Sequence, residues 1–289
     1  MQPKTKKLKY AIFVISHGRS HYDKLPTLKC LEQSGYTGDL FVVIDDEDEE
    51  APIYMSKYGD KVIQFSKKEY DYIDTCDLIP EHTGTPYVRN AMHDIAKKLG
   101  YEYYAVFDDD YTSFRLIMNR GAYLRHAPVN SMDRFIDAMF EMLKDTGADC
   151  CALSQIGDFI GGLNSGNINT PTLRRKVMNT FFCSTEKPLS WVGRTNEDVS
   201  LYVCGGIRGQ IYITNYMLAV VPSQTQALKG GLTDFYRSYG TYNKSMYTVI
   251  QAPSAVKISV VGDKHPRIHH YAQSVNYTPC ILDERHRKF

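Results

Sequence analysis

The feature that most constrains this 289-residue chain is an alternation in its first half. Apolar runs at residues 10–15 (YAIFVI), 40–44 (LFVVI), 61–65 (KVIQF) and 101–107 (YEYYAVF) are set among segments of helical period. Leu25, Leu28 and Leu31 mark a short helix over 24–35, and Val88, Met92, Ile95, Ala96 and Leu99 a longer one over 86–99. Thr85 before Pro86 fits an N-cap with proline in the first turn. Continuous, partly β-branched runs suit strands buried on both faces, and strand, helix, strand repetition builds a parallel sheet with right-handed crossovers. The expectation is an α/β fold on a doubly wound, mostly parallel sheet.

The fourth run ends in Asp108, Asp109 and Asp110. Three adjacent carboxylates repel one another and lower native stability, an arrangement that makes sense if a divalent cation sits among them. Oxygen-only ligands suit a hard ion, Mg2+ or Mn2+. The bland alternative is a solvated acidic loop capping a helix that begins near Thr112.

Other residues with chemistry also follow strands. The first run breaks at Ser16-His17-Gly18-Arg19, where glycine lets backbone approach a ligand and a guanidinium can meet phosphate or a base edge. The second ends at Asp45, the start of the acidic run 45–50, whose distal part reads as a solvated loop. Ligands of open α/β sheets bind beyond the carboxyl ends of strands, where Asp45 can accept from a ribose or base. Arg89 and Asn90 fall in the first turns of the second helix, near the amide-rich end that favours anions.

The second half is less regular. A stripe of Met132, Phe135, Ile136, Met139, Phe140 and Leu143 predicts a core-facing helix over 132–143, with strands at 150–153, 181–184 and 216–221. Residues 157–171, rich in Gly and Asn, predict a mobile loop, either one that closes over ligands or an ordinary surface loop. Glu197-Asp198 opens a run, VSLYVC, readable as helix or strand, with Thr195 or Asn196 as a cap. An acidic pair there complements a helix dipole. Tyr236, Tyr239, Tyr242 and Tyr247 alternate with Arg237, Lys244 and Lys257, a mixture suited either to packing or to a nucleic-acid strand.

A net charge of +1 excludes a generally basic nucleic-acid coat but not a local basic groove. Seven cysteines without a Cys-x-x-Cys pair read as reduced thiols in a cytoplasmic setting, and no run is long enough to span a bilayer. The expected protein is soluble, without a membrane partner.

In order, VISHGR, VVIDD, YVRNAMHDIA and VFDDDYTSF resemble the nucleotide-sugar glycosyltransferases of GT-A fold, and more narrowly the TET-associated glycosyltransferases of bacteriophages, held to glycosylate hydroxymethylated pyrimidines in DNA. The resemblance implies a single GT-A domain over 1–289, with a nucleotide half at about 8–115, an acceptor half at about 116–289 and a smaller β element on the acceptor side. It implies transfer from a nucleotide sugar, such as UDP-glucose or a relative, to a hydroxyl, with a 5-hydroxymethylpyrimidine in DNA as acceptor. Ser16, Gly18, Arg19, Asp45, Arg89, Asn90, Asp108 and Asp109 would hold the donor. Asp108 and Asp110 would hold Mn2+ or Mg2+, closed by His270 or its neighbour His269. Asp198 would be the base of an inverting reaction. Competing readings are a glycan, protein or small-molecule acceptor, a nucleotidyltransferase, and a non-catalytic nucleotide or nucleic-acid binding module.

Overall fold

A computed structural model describes residues 8–165, 176–223, 232–239, 243–262, 266–278 and 282–287. The first half runs β1 (Tyr10–Ile15), α1 (Pro26–Gln33), β2 (Leu40–Asp45), α2 (Ala51–Tyr58), β3 (Val62–Phe65), α3 (Pro86–Lys98) and β4 (Tyr103–Asp108). Then come β5 (Tyr111–Asn119), β6 (Leu124–Pro128), α4 (Met132–Thr146), β7 (Cys150–Gln155), β8 (Phe181–Ser184), α5 (Glu197–Ile207) and β9 (Tyr212–Pro222). The last elements are α6 (Thr233–Tyr239), α7 (Lys244–Gln251), β10 (Val256–Val261), β11 (Arg267–Ala272) and α8 (Ser274–Tyr277).

Among the described residues nine strands form one sheet in the order β3-β2-β1-β4-β8-β7-β9-β5-β6, and β10 and β11 form a separate antiparallel hairpin. The first four strands are parallel, as their alternation with helices requires. Beyond β4 the sheet is mixed, with β8 antiparallel to both its neighbours and β7 parallel to β9. The chain steps outward from β1 through β2 to β3, then returns to β4 on the other side of β1. That reversal opens a crevice at the carboxyl ends of β1 and β4, the place where open α/β sheets bind ligands. The pairing of Ile15 with Asp108 sets the loop after β1 directly beside the three carboxylates.

Alternate residues of each strand feed two cores, one on each face. Ala11, Phe13 and Val43 pack with Met92 of α3 and Val203 of α5, while Ile12, Val14 and Val42 pack with Leu28 of α1, Tyr54 of α2 and Phe140 of α4. Both faces are covered, which is why these strands read as continuous apolar runs rather than alternating ones.

Several expectations need correction. Tyr111 opens a strand, not a helix, because its side chain is fully buried and its N–H donates to Thr27 Oγ1. The acidic run is followed by the helix α2, and its distal part is no simple solvated loop, since Asp48 is buried. Thr85 stands at the N-cap position of α3 without a side-chain cap bond. Glu197-Asp198 begins a helix, with Asn196 at the N-cap position in a left-handed conformation. The loop 157–171 begins as two short 3-10 turns, and its residues 166–171 lie outside the described residues, as do Tyr242 and Cys280. Six cysteines among the described residues are unbridged, and no described helix is long and apolar enough to cross a membrane.

Candidate active site

The carboxyl ends of β1, β2 and β4 open into a cleft of about 1090 Å³, closed on its far side by the start of α5 and by α6. That exceeds the usual range for a drug-sized ligand, roughly 300–1,000 Å³, and is enough for a nucleotide carrying a further group.

The three carboxylates are held differently. The backbone around them is pinned by α1: Thr27 Oγ1 donates to Asp108 O at 2.6 Å, and Thr27 N donates to Asp109 O at 3.1 Å. Asp109 is buried and turned inward, accepting from Ser16 Oγ and Arg19 Nη1; burial still pushes its carboxyl up to about 6. Asp108 accepts from Arg89 Nη2 at 2.6 Å through Oδ1. Asp110 has no ion-pair partner among the described residues, and burial, followed by Asp108 and Asp109, pushes it up to about 7. All three line the cleft, Asp108 tied to Arg89 and Asp109 to Arg19, while Asp110 is left without an ion-pair partner among the described residues.

The loop after β1 is shaped by the acidic run. Asp48 Oδ2 accepts from Gly18 N at 2.9 Å, and Glu50 Oε2 accepts from Ser20 N at 2.7 Å. Gly18 has a φ of 63°, open to glycine without strain. Asp45 pairs with His17 Nδ1 at 2.8 Å and with Lys67 Nζ at 2.9 Å. Burial alone would raise Asp45, but these cations hold it below the ordinary carboxylate range, and the hydrogen bond to Asp45 raises His17. Buried Lys67 had no signal of its own in the sequence, standing in an exposed-looking KKE run.

Arg89 is buried beneath the site, not presented at the helix end. Its guanidinium lies over Phe181, 4.5 Å from the ring centroid, and its Nε is 3.8 Å from Glu197 Oε1. Asn90 is likewise a strut: its side chain donates to Trp191 O at 3.0 Å and accepts from Trp191 N at 3.1 Å, fixing the segment that leads to α5. It is not among the described residues lining the cleft.

Glu197 and Asp198 part company at the α5 terminus. Glu197 is buried toward Arg89; burial and Asp198 push it up to about 7 against the pull of Arg89. Asp198 is only half-buried and lines the cleft with Lys244. Burial raises it as well, and Lys244 opposes the rise. His270 sits on β11 with Nδ1 3.3 Å from Asn196 Nδ2, and burial lowers it to about 4. Neither His269 nor His270 is among the described residues lining the cleft, and no three His, Cys, Asp or Glu side chains among the described residues form a ready-made metal cage.

Residues 83–85, also in the cleft wall, depend on Arg194, whose side chain is 1% exposed. It forks onto Asp77 at 2.8 and 2.9 Å and donates to the carbonyls of Ile79 and Thr83 at 2.7 and 2.9 Å. At Gly84 (φ 107°) a Cβ would come within 2.5 Å of Arg194 O, so only glycine fits. Tyr236 and Tyr239 of the aromatic tail line the cleft, whereas Tyr247 donates to Asp77 at 2.7 Å.

No curated protein matches the chain in sequence. Among solved structures it resembles a mannosyltransferase from Pyrobaculum calidifontis in complex with GDP-Man and Mn2+, at 12% identity and a TM-score of 0.51, covering 86% of this chain and 65% of that one. It also resembles glucosyl-3-phosphoglycerate synthase from Mycobacterium tuberculosis in complex with Mg2+ and UDP, at 9% identity and a TM-score of 0.48 over 92% and 88% of the two chains. A third is S. aureus TarS with UDP-GlcNAc, at 11% identity and 0.42 over 84% and 66%. The fold is that of the GT-A nucleotide-sugar glycosyltransferases. Residues 10–231, from β1 through the acidic helix end and past β9, match the TET-Associated Glycosyltransferase family, and the chain belongs to that family.

Proposed function

We propose that the enzyme transfers a hexose from a uridine diphosphate sugar to the hydroxymethyl group of a 5-hydroxymethylpyrimidine in DNA, with inversion at the anomeric carbon. The observation that carries this reading is that Asp198, the half-buried carboxylate of α5, shares one cleft with Asp108 and Asp110. Ser16, Gly18, Arg19 and Asp45 hold the donor, Ser16 and Arg19 by fixing Asp109. Arg89 and Asn90 serve it indirectly, as supports beneath the site.

The residues fit a hard divalent ion: Asp108 keeps one carboxylate oxygen beyond its bond to Arg89, and Asp110, raised by burial and by Asp108 and Asp109, has no ion-pair partner among the described residues, so a cation there would displace its proton. Asp108 and Asp110 would hold Mn2+ or Mg2+, and such an ion would neutralise a diphosphate leaving group; His270, bonded to Asn196 and not lining the cleft, is not placed to join them. The mannosyltransferase with Mn2+ supports the choice of ion. Asp198 accepts the proton of the acceptor hydroxyl as the new glycosidic bond forms and the bond to the diphosphate breaks. The hydroxyl is too weakly acidic to react without such a base.

The family name supports a DNA acceptor. The test is to give the purified enzyme a panel of nucleotide sugars with hydroxymethylated DNA, a glycan and a protein. A hexose mass on the DNA is expected; labelling of the glycan or protein with none on DNA refutes the acceptor.

A further inference from the structure

The hairpin of β10 and β11 is largely exposed. Its root is anchored: Val256 is buried, and His270 meets Asn196 beside Asp198. Beyond those contacts it is open, with Val260 63% and Ile268 46% exposed toward the tip and Tyr271, beside the root, 51% exposed. Surface of this kind on a short two-stranded ribbon, which is marginal by itself in water, calls for a partner.

The register divides the ribbon into two unlike faces. Lys257 pairs with Tyr271, Ser259 with His269 and Val261 with Arg267, so these six share one face. Neither strand contains an Asp or Glu. Lys257 and Arg267 are exposed and form no ion pair among the described residues. Four strand residues separate their positions, roughly 13 Å at about 3.3 Å per residue, so the two cations must meet different anionic groups. A face with two spaced cations, a tyrosine and no carboxylate is complementary to a polyanion.

Resting on the proposed DNA acceptor, we infer that the Lys257, Arg267 and Tyr271 face of the hairpin grips the phosphate backbone of that DNA beside the target base. Two observations favour DNA over other partners. The other face of the same ribbon brings His270 to Asn196 at the helix end that carries Asp198, so a strand held on the cationic face lies on an element that abuts that helix end. A two-stranded ribbon also has the width to enter a DNA groove. Tyr271 offers a ring on which a base can stack when its neighbour leaves the helix.

The test uses the full chain and two variants, Lys257→Gln/Arg267→Gln and Tyr271→Ala, with a thermal melt and Mn2+-dependent UDP binding to report folding. Binding to unmodified duplex DNA is followed by fluorescence anisotropy across salt concentrations, and glucosylation is measured on hydroxymethylated DNA and on free 5-hydroxymethylcytidine. The double variant should bind DNA at least about 10-fold more weakly. Its salt slope should be shallower by about 2, because each phosphate contact contributes close to one unit. Tyr271→Ala should weaken binding to single-stranded DNA more than to duplex. Both should keep UDP binding and transfer to the free nucleoside. If wild type glycosylates DNA and the double variant matches its affinity and salt slope, the hairpin assignment is overturned while the acceptor stands. If wild type neither binds nor modifies DNA, the acceptor reading itself fails. Hairpin variants that dissociate a dimer, or that release anionic phospholipid vesicles, with unchanged DNA affinity would assign the surface to a protein or a membrane instead.

Discussion

Arg89 Nη2 stands 2.6 Å from Asp108 Oδ1, and the same guanidinium reaches Glu197 with Nε 3.8 Å from Oε1. One buried cation thus ties the carboxylate strand to the acidic helix end, two stretches 89 residues apart in sequence (108 to 197). The two halves of the site are positioned by a shared charge rather than by separate loops.

Removing that charge should therefore cost stability before it costs chemistry. Arg89→Met leaves Asp108 and Glu197 without their cation, and breaking a buried ion pair from one side typically costs about 3–5 kcal/mol. Partial protonation of Glu197, already pushed up to about 7, softens the loss toward the lower figure. Arg89→Lys keeps the charge but cannot span both carboxylates, so it should fall between. Urea denaturation measures this, and an Arg89→Met protein within about 0.5 kcal/mol of wild type, the range of an ordinary surface change, contradicts it.

Asn90 makes a sharper case, because its position in a helix N-terminal turn points to the donor and its contacts point elsewhere. Asn90→Ala should lose about 1–3 kcal/mol of stability, the cost of leaving buried backbone groups of Trp191 unpaired. The KM for the nucleotide sugar should change less than about 3-fold, well under the roughly 1.4 kcal/mol of a tenfold effect. A stable variant with a large rise in KM would return Asn90 to the donor site.

For the base, Asp198→Asn keeps the shape and removes the basicity. Turnover should fall about 100-fold or more, as general-base catalysis typically contributes roughly 10²–10⁴, with donor affinity nearly unchanged. Glu197→Gln should do less, since Glu197 faces Arg89. Product with retained anomeric configuration, read by NMR, would falsify the inverting assignment.

The metal prediction carries a sign. Asp109, Asp110 and Glu197 are pushed up to about 6, 7 and 7, so without metal the folded chain holds protons that the unfolded chain releases near pH 4. Between about pH 4 and 7 these groups make metal-free stability fall as pH rises. Saturating Mn2+ should flatten the trend in part, because the ion replaces the proton at Asp110, and metal affinity should weaken as pH drops below about 7. Asp110→Asn should flatten the metal-free trend in part and abolish the gain in UDP binding on adding Mn2+. Melting curves from pH 5 to 8 with chelator or Mn2+ decide it; identical slopes in both refute it.

By itself the sequence determined the parallel half of the fold, because β1, β2 and β4 are buried on both faces and must read as unbroken apolar runs. It also marked Ser16–Arg19, Asp45 and Asp108–Asp110, since parallel strands all end at one edge. Only tertiary structure decided which of those charges face a ligand. Asp108, Asp109 and Asp110 are neighbours on the chain, yet Asp108 is paired with Arg89 from α3, Asp109 is bound by Ser16 and Arg19 of the loop after β1, and Asp110 has no ion-pair partner among the described residues. Arg89, Asn90, Lys67 and Arg194 have partners about 20 to more than 100 residues away, and no local pattern encodes a partner at that distance. Strands β7, β8 and β9 were marked by their apolar runs, but β5 and β6 were not, for the same reason. Their pairings depend on long returns of the chain, and short half-buried runs such as β6 carry too little periodicity to announce a strand.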